Sequence, residues 1–162
     1  MIKQVAIIET KLERFFINLP SISNSTKTSL TKVLPWIAII FGAMQVIWAF
    51  DLWNTLYGNT SIENVLYISE TYSSMEKLGL FAGIIILSIS AITLLMSYKP
   101  LMKNNKKGWD LLFLSALLNV VYVLMIPFIN NARTNVVMSI VVSGIGFYLL
   151  FQVKAKYKKS NR

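Results

Sequence analysis

Leu78–Tyr98 reads LGLFAGIIILSISAITLLMSY, 21 residues without a charge. A helix of about 20 apolar residues crosses the ~30 Å hydrocarbon core of a bilayer. The stretch does not stand alone. Val33–Phe50, Leu111–Ala132 and Thr134–Val153 are also uncharged, and charged residues bound all of them. The four runs predict an all-α protein, a four-transmembrane-helix bundle with spans of about 34–54, 77–98, 109–129 and 135–153. Only 14% of the 162 residues are charged, against ~25% in a soluble domain.

The rest of the chain is read outward from those spans. Residues 2–19 place Ile2, Val5, Ile8, Leu12, Phe15, Phe16 and Leu19 at three- and four-residue steps. Lys3, Gln4, Thr10, Lys11, Arg14 and Asn18 fall mainly on the other face. Residues 1–20 are therefore expected to form an amphipathic surface helix, lying in the headgroup plane or packed on the bundle or a partner. Charges at Glu9, Lys11, Glu13 and Arg14 argue against a cleavable leader. Pro20 should end that helix, and residues 21–32 read as a polar linker. Pro35 reads as a first-turn proline of span one. Lys99-Pro100 reads as the stop of span two, and Pro127 as a kink or stop near the end of span three. In the loop after span one, Asn59-Thr60-Ser61 matches a glycosylation acceptor, and Ser61 is placed to cap a short helix through Ile68.

The net charge of +9 is a matter of placement. Of 16 basic residues, all but Lys77 and Arg133 fall before span one, between spans two and three, or in the tail. This is the positive-inside pattern, and it predicts a multi-pass protein with both termini cytoplasmic. The basic excess then reports topology and attraction to anionic headgroups, so membrane lipids are the expected partners and nucleic acid is not. Trp36, Tyr98, Trp109 and Tyr157 are expected in an aromatic belt on the lysine-rich side, and Trp53 with Tyr57 in a belt on the other.

The chain has neither cysteine nor histidine. Disulfide and thiolate chemistry and histidine-held zinc or haem are thereby excluded, so no cofactor or metal is expected. The span interiors contain no Asp, Glu, Lys or Arg. Proton-coupled transporters and pumps depend on such groups. What the spans do carry is one small or polar stripe each: Ala38, Gly42, Gln45 and Ala49; Gly79, Gly83, Ser90 and Ser97; Ser115, Asn119 and Tyr122; Ser139, Ser143 and Gly146. Small faces allow backbones to approach in lipid, where helix association lacks a hydrophobic drive. Gly42, Gly79, Gly83 and Gly146 are the expected packing positions, facing inward or toward a neighbouring protomer of a homo-oligomer or a partner membrane subunit. Gln45, Asn119, Tyr122, Ser115 and Ser143 are the candidates for binding a polar molecule, if they are not spent on one another. Gln45 and Asn119 lie deepest and should find hydrogen-bond partners.

Two stretches carry a resemblance. Lys106-Lys107-Gly108-Trp109-Asp110-Leu111-Leu112-Phe113 with Ser115 to Tyr122, and Gly144-Ile145-Gly146-Phe147-Tyr148-Leu149-Leu150-Phe151-Gln152 with Lys156-Tyr157, resemble small uncharacterised multi-pass membrane proteins of candidate-phylum bacteria. The resemblance implies a bacterial inner-membrane setting and similar helix packing. It brings no activity, cofactor or catalytic residue. The expected function is a non-enzymatic structural or accessory subunit or a lipid-interacting scaffold. The alternatives are a small transporter or channel component acting as an oligomer, and an interfacial lipid-modifying enzyme using Asp51 or Asp110.

Overall fold

A computed structural model describes residues 3–57, 73–130 and 136–157. The expected cap and acceptor at Ser61 and Asn59, the loop residue Arg133, and the tail residues Lys158, Lys159 and Arg162 lie outside the described residues. The described residues are mostly helical. The helices are α1 (Lys3–Ile17), α2 (Asn24–Tyr57), α3 (Ser74–Met102), α4 (Lys106–Asn130) and α5 (Val136–Val153), with a short 3-10 turn at Lys154–Lys156. Four of them are long and apolar enough to cross a membrane. Helix α3 is central, packed between α2 and α4, and α5 leans mainly on α4.

Three boundaries differ from the sequence reading, each for a local reason. The expected linker at 21–32 is helical from Asn24. Ser23 nucleates it, since its hydroxyl accepts from the Thr26 amide at 3.2 Å and its carbonyl from the Lys27 amide at 3.0 Å. A Ser/Thr-rich segment continues as helix once it is capped and joined to an apolar span. Pro35 consequently lies inside α2, buried, rather than in a first turn. Pro100 does not stop α3, which runs on to Met102. A proline in a last turn deletes only one hydrogen bond. Helix α4 includes Pro127 and ends at Asn130, one residue beyond the expected end of span three.

The turn between α3 and α4 is tight. Asn104 takes a left-handed backbone (φ 47°), and the Asn105 amide donates to the Pro100 carbonyl at 2.9 Å. Gly108 then passes so close that a Cβ there would sit 2.6 Å from the Leu101 nitrogen. At the other end of α3, Ser73 and Glu76 form a reciprocal capping box.

The core is concentrated where α1, α4 and α5 meet. Trp109, fully buried, stacks on Phe113 with ring centroids 5.3 Å apart. Its indole N–H donates to the Leu150 carbonyl at 2.9 Å. Phe16 of α1 stacks on Phe151 of α5. Trp109 and Tyr157 are therefore core residues, not members of an interfacial belt. Trp36 with Tyr98, and Trp53 with Tyr57, pair edge-on or tilted near the two ends of α2, and Trp36, Trp53 and Tyr57 are exposed. Much of the outward surface is apolar, including Ile40, Phe41, Ile47 and Phe50 on α2 and Val137, Met138 and Val142 on α5.

Candidate functional site

Two places gather polar side chains, one within the spans and one at the lysine-rich end.

Within the spans, three stripes face inward. Ala38, Gly42, Gln45 and Ala49 are buried along α2, and Gly79, Gly83, Ser90 and Ser97 along α3. The small faces bring α2 and α3 together: a Cβ at Gly42 would already lie 3.0 Å from a Leu95 methyl. That closeness lets the side-chain amides meet. The Gln45 amide nitrogen donates to the Asn119 carbonyl oxygen at 3.0 Å. The Asn119 nitrogen donates to the Ser90 hydroxyl at 3.2 Å and to the Ser115 carbonyl at 3.0 Å. Ser90 and Ser115 share a hydroxyl contact at 2.8 Å. One hydrogen-bonded chain thus ties α2, α3 and α4. Gln45 is only 1% exposed, and its side-chain oxygen is left without a hydrogen-bond partner.

The remaining candidates lie apart from this chain of bonds. Tyr122 is half-buried on α4, three residues beyond Asn119. Ser143 turns back on its own helix, donating to the Ser139 carbonyl at 2.8 Å. Gly146 is exposed, and a Cβ there would meet nothing within 4 Å, so it takes no part in packing inside the protomer. The stripe of α5 does not pack within the protomer because only the later part of that helix, from Phe147, contributes buried residues. The two membrane-edge carboxylates are far apart in the fold. Asp51 is exposed in the last turns of α2, whereas Asp110 lies in the first turns of α4, 3.7 Å from the Lys106 ammonium. Among the described residues no group of three or more acidic side chains is placed to hold a metal ion.

The second cluster is one that sequence reasoning missed. Lys154, just after α5, sits 2.7 Å from Glu9 and 2.7 Å from Glu13 of α1. Lys106 approaches Glu9 at 4.0 Å, and the Lys154 ammonium lies 5.2 Å from the Trp109 ring centroid. The Glu9 side chain is 8% exposed. Nearby, the Pro20 carbonyl accepts from the Tyr148 hydroxyl and from the Gln152 amide. These bonds, with the Phe16 stack, fasten α1 and the chain after it to α5. A signal existed: Glu9 and Glu13 fall among Val5, Leu12 and Phe16 on the apolar side of α1. Carboxylates on a buried face demand cations opposite. Beyond the turn, burial pushes the Tyr157 phenol up to about 12, and its hydroxyl has no hydrogen-bond partner.

No family model matches the chain, and neither a curated protein nor a solved structure is similar to it.

Proposed function

We propose that this chain is a non-enzymatic multi-pass protein of a bacterial inner membrane, both termini cytoplasmic, serving as a structural or accessory subunit. The observation that carries this reading is the Gln45–Asn119–Ser90–Ser115 chain. The deepest polar groups of three spans are engaged with one another, as adhesive between helices. A transport pathway would instead offer them to water or to an ion. Orientation is supported by the common end shared by α1, the α3–α4 turn and Lys154, which gathers the lysine-rich segments. The outward apolar face of α5 is available to lipid, a second copy or a partner subunit.

The test is purification from native membranes in mild detergent, followed by mass spectrometry of the intact assembly. A partner chain at fixed stoichiometry is the expected result. Solute flux through proteoliposomes holding this chain alone would overturn the reading in favour of a small transporter or channel.

A further inference from the structure

A cleft of about 440 Å³ opens at the lysine-rich end, between α1, the start of α2 and the exit of α5. Its charged lining is Lys27, Lys106, Lys154 and Glu13. These do not cancel evenly. Lys154 is held at 2.7 Å by both Glu9 and Glu13, so its charge is satisfied. Lys106 has only long contacts, 4.0 Å to Glu9 and 3.7 Å to Asp110, and its ammonium donors are not committed to either carboxylate. Lys27 is half-buried and has no ion-pair partner among the described residues. The rest of the cleft is lined by the apolar Phe16, Leu19, Phe151 and Ala155, with the polar Ser21 and Gln152. Tyr157 also lines it, with its enclosed, unpartnered hydroxyl. The cleft thus sets the unpaired Lys27 and the loosely held Lys106 beside an apolar wall, at the end of the α5 span.

We infer that this cleft holds the phosphate of an anionic phospholipid, with Lys27 and Lys106 on the phosphate oxygens and the lipid's apolar part against Phe16 and Phe151. Charge-assisted bonds from ammonium to phosphate are strong, and the basic excess of the whole chain favours an anion there. The apolar wall selects an amphiphile over a free phosphate. The inference rests on the reading of α2 to α5 as membrane spans, and deepens it by naming the lipid class.

The experiment uses the full chain in nanodiscs of equal phosphatidylglycerol and phosphatidylcholine, released and weighed intact, with retained lipids counted. Wild type is expected to keep phosphatidylglycerol at collision energies that strip phosphatidylcholine. Lys27→Gln should lower that retention roughly fivefold. Lys103→Gln, exposed on the α3–α4 turn outside the cleft, should leave it unchanged, and circular dichroism checks that each variant remains folded. Equal retention of both lipids, no effect of Lys27→Gln, or the same loss from Lys103→Gln would overturn the inference. So would displacement of the lipid by millimolar glycerol phosphate, since the phosphate alone would then suffice. Failure of the spanning reading is separately visible, as a chain that stays dispersed without detergent.

Discussion

At the scale of single residues, Asn119 and Gly108 do the most with the least. Asn119 accepts from Gln45 and donates to Ser90 and Ser115. Asn119→Leu strands the buried Gln45 amide, while the Ser90 hydroxyl keeps its 2.8 Å contact with Ser115. Single interhelical bonds in lipid are worth ~0.6–2 kcal/mol, so a loss of about 2 kcal/mol is expected, read as unfolding in detergent or by steric trapping. The double variant Gln45→Leu/Asn119→Leu should recover part of it, because replacing both partners leaves fewer orphans. Should the double variant assemble and function like wild type, the pair would not be a binding site. Gly108→Ala tests a different cause. Its Cβ would press on backbone, 2.6 Å from Leu101 N and 2.9 Å from Pro100 C, which cannot yield as a side chain could. Destabilisation of about 1–3 kcal/mol is expected. Gly146→Ala, with open space around it, should be neutral or slightly favourable, since alanine is the better helix former. A thermal melt of the two variants side by side separates contact from propensity.

At the scale of elements, the bond between α1 and the bundle is ionic at one end and aromatic at the other. Removing one partner of a buried pair leaves an uncompensated charge. Lys154→Met leaves Glu9 buried with only Lys106 at 4.0 Å, while Glu13, 42% exposed, turns to solvent. A loss of about 2–4 kcal/mol in the docking of α1 is expected, seen as faster amide exchange across Lys3–Ile17 with the spans unchanged. The triple variant Glu9→Gln/Glu13→Gln/Lys154→Met should restore much of the protection. The number and approximate place of the spans were legible because an uncharged run of 18 or more residues has few other uses. The Gln45–Asn119 contact was also within reach, since two deep amides with few alternatives tend to find one another. The start of α2 was hidden, because Ser23 to Thr28 has loop composition and only the cap with its continuation into Val33 makes it helix. The docking of α1 was hidden for a different reason. Glu13 and Lys154 are separated by 141 positions, and sequence periodicity says which face of a helix is buried without saying against what. Trp109 was misplaced because an aromatic at a span's end fits an interfacial anchor or a plug equally well until α1 and α5 are seen to cover it.

For the molecule as a whole, the uneven burial of the helices matters most. Helix α3 is embedded between neighbours, while residues 137–146 of α5, from Val137 at 72% exposed, are largely open. Protease-accessible tags at the first and last residues should be cleaved from the same side of a sealed vesicle, and from the inner side of intact cells. Cleavage from opposite sides would refute an even number of crossings. Helix α2 adds a further property. Its 34 residues extend about 51 Å at 1.5 Å per residue, well beyond the hydrocarbon. Pro35 removes one rung of its hydrogen-bond ladder where the polar beginning gives way to the apolar span. That missing rung makes a bend cheaper at Pro35 than elsewhere along the helix. A change in bilayer thickness is expected to be taken up there, as a change of angle between the two parts of α2.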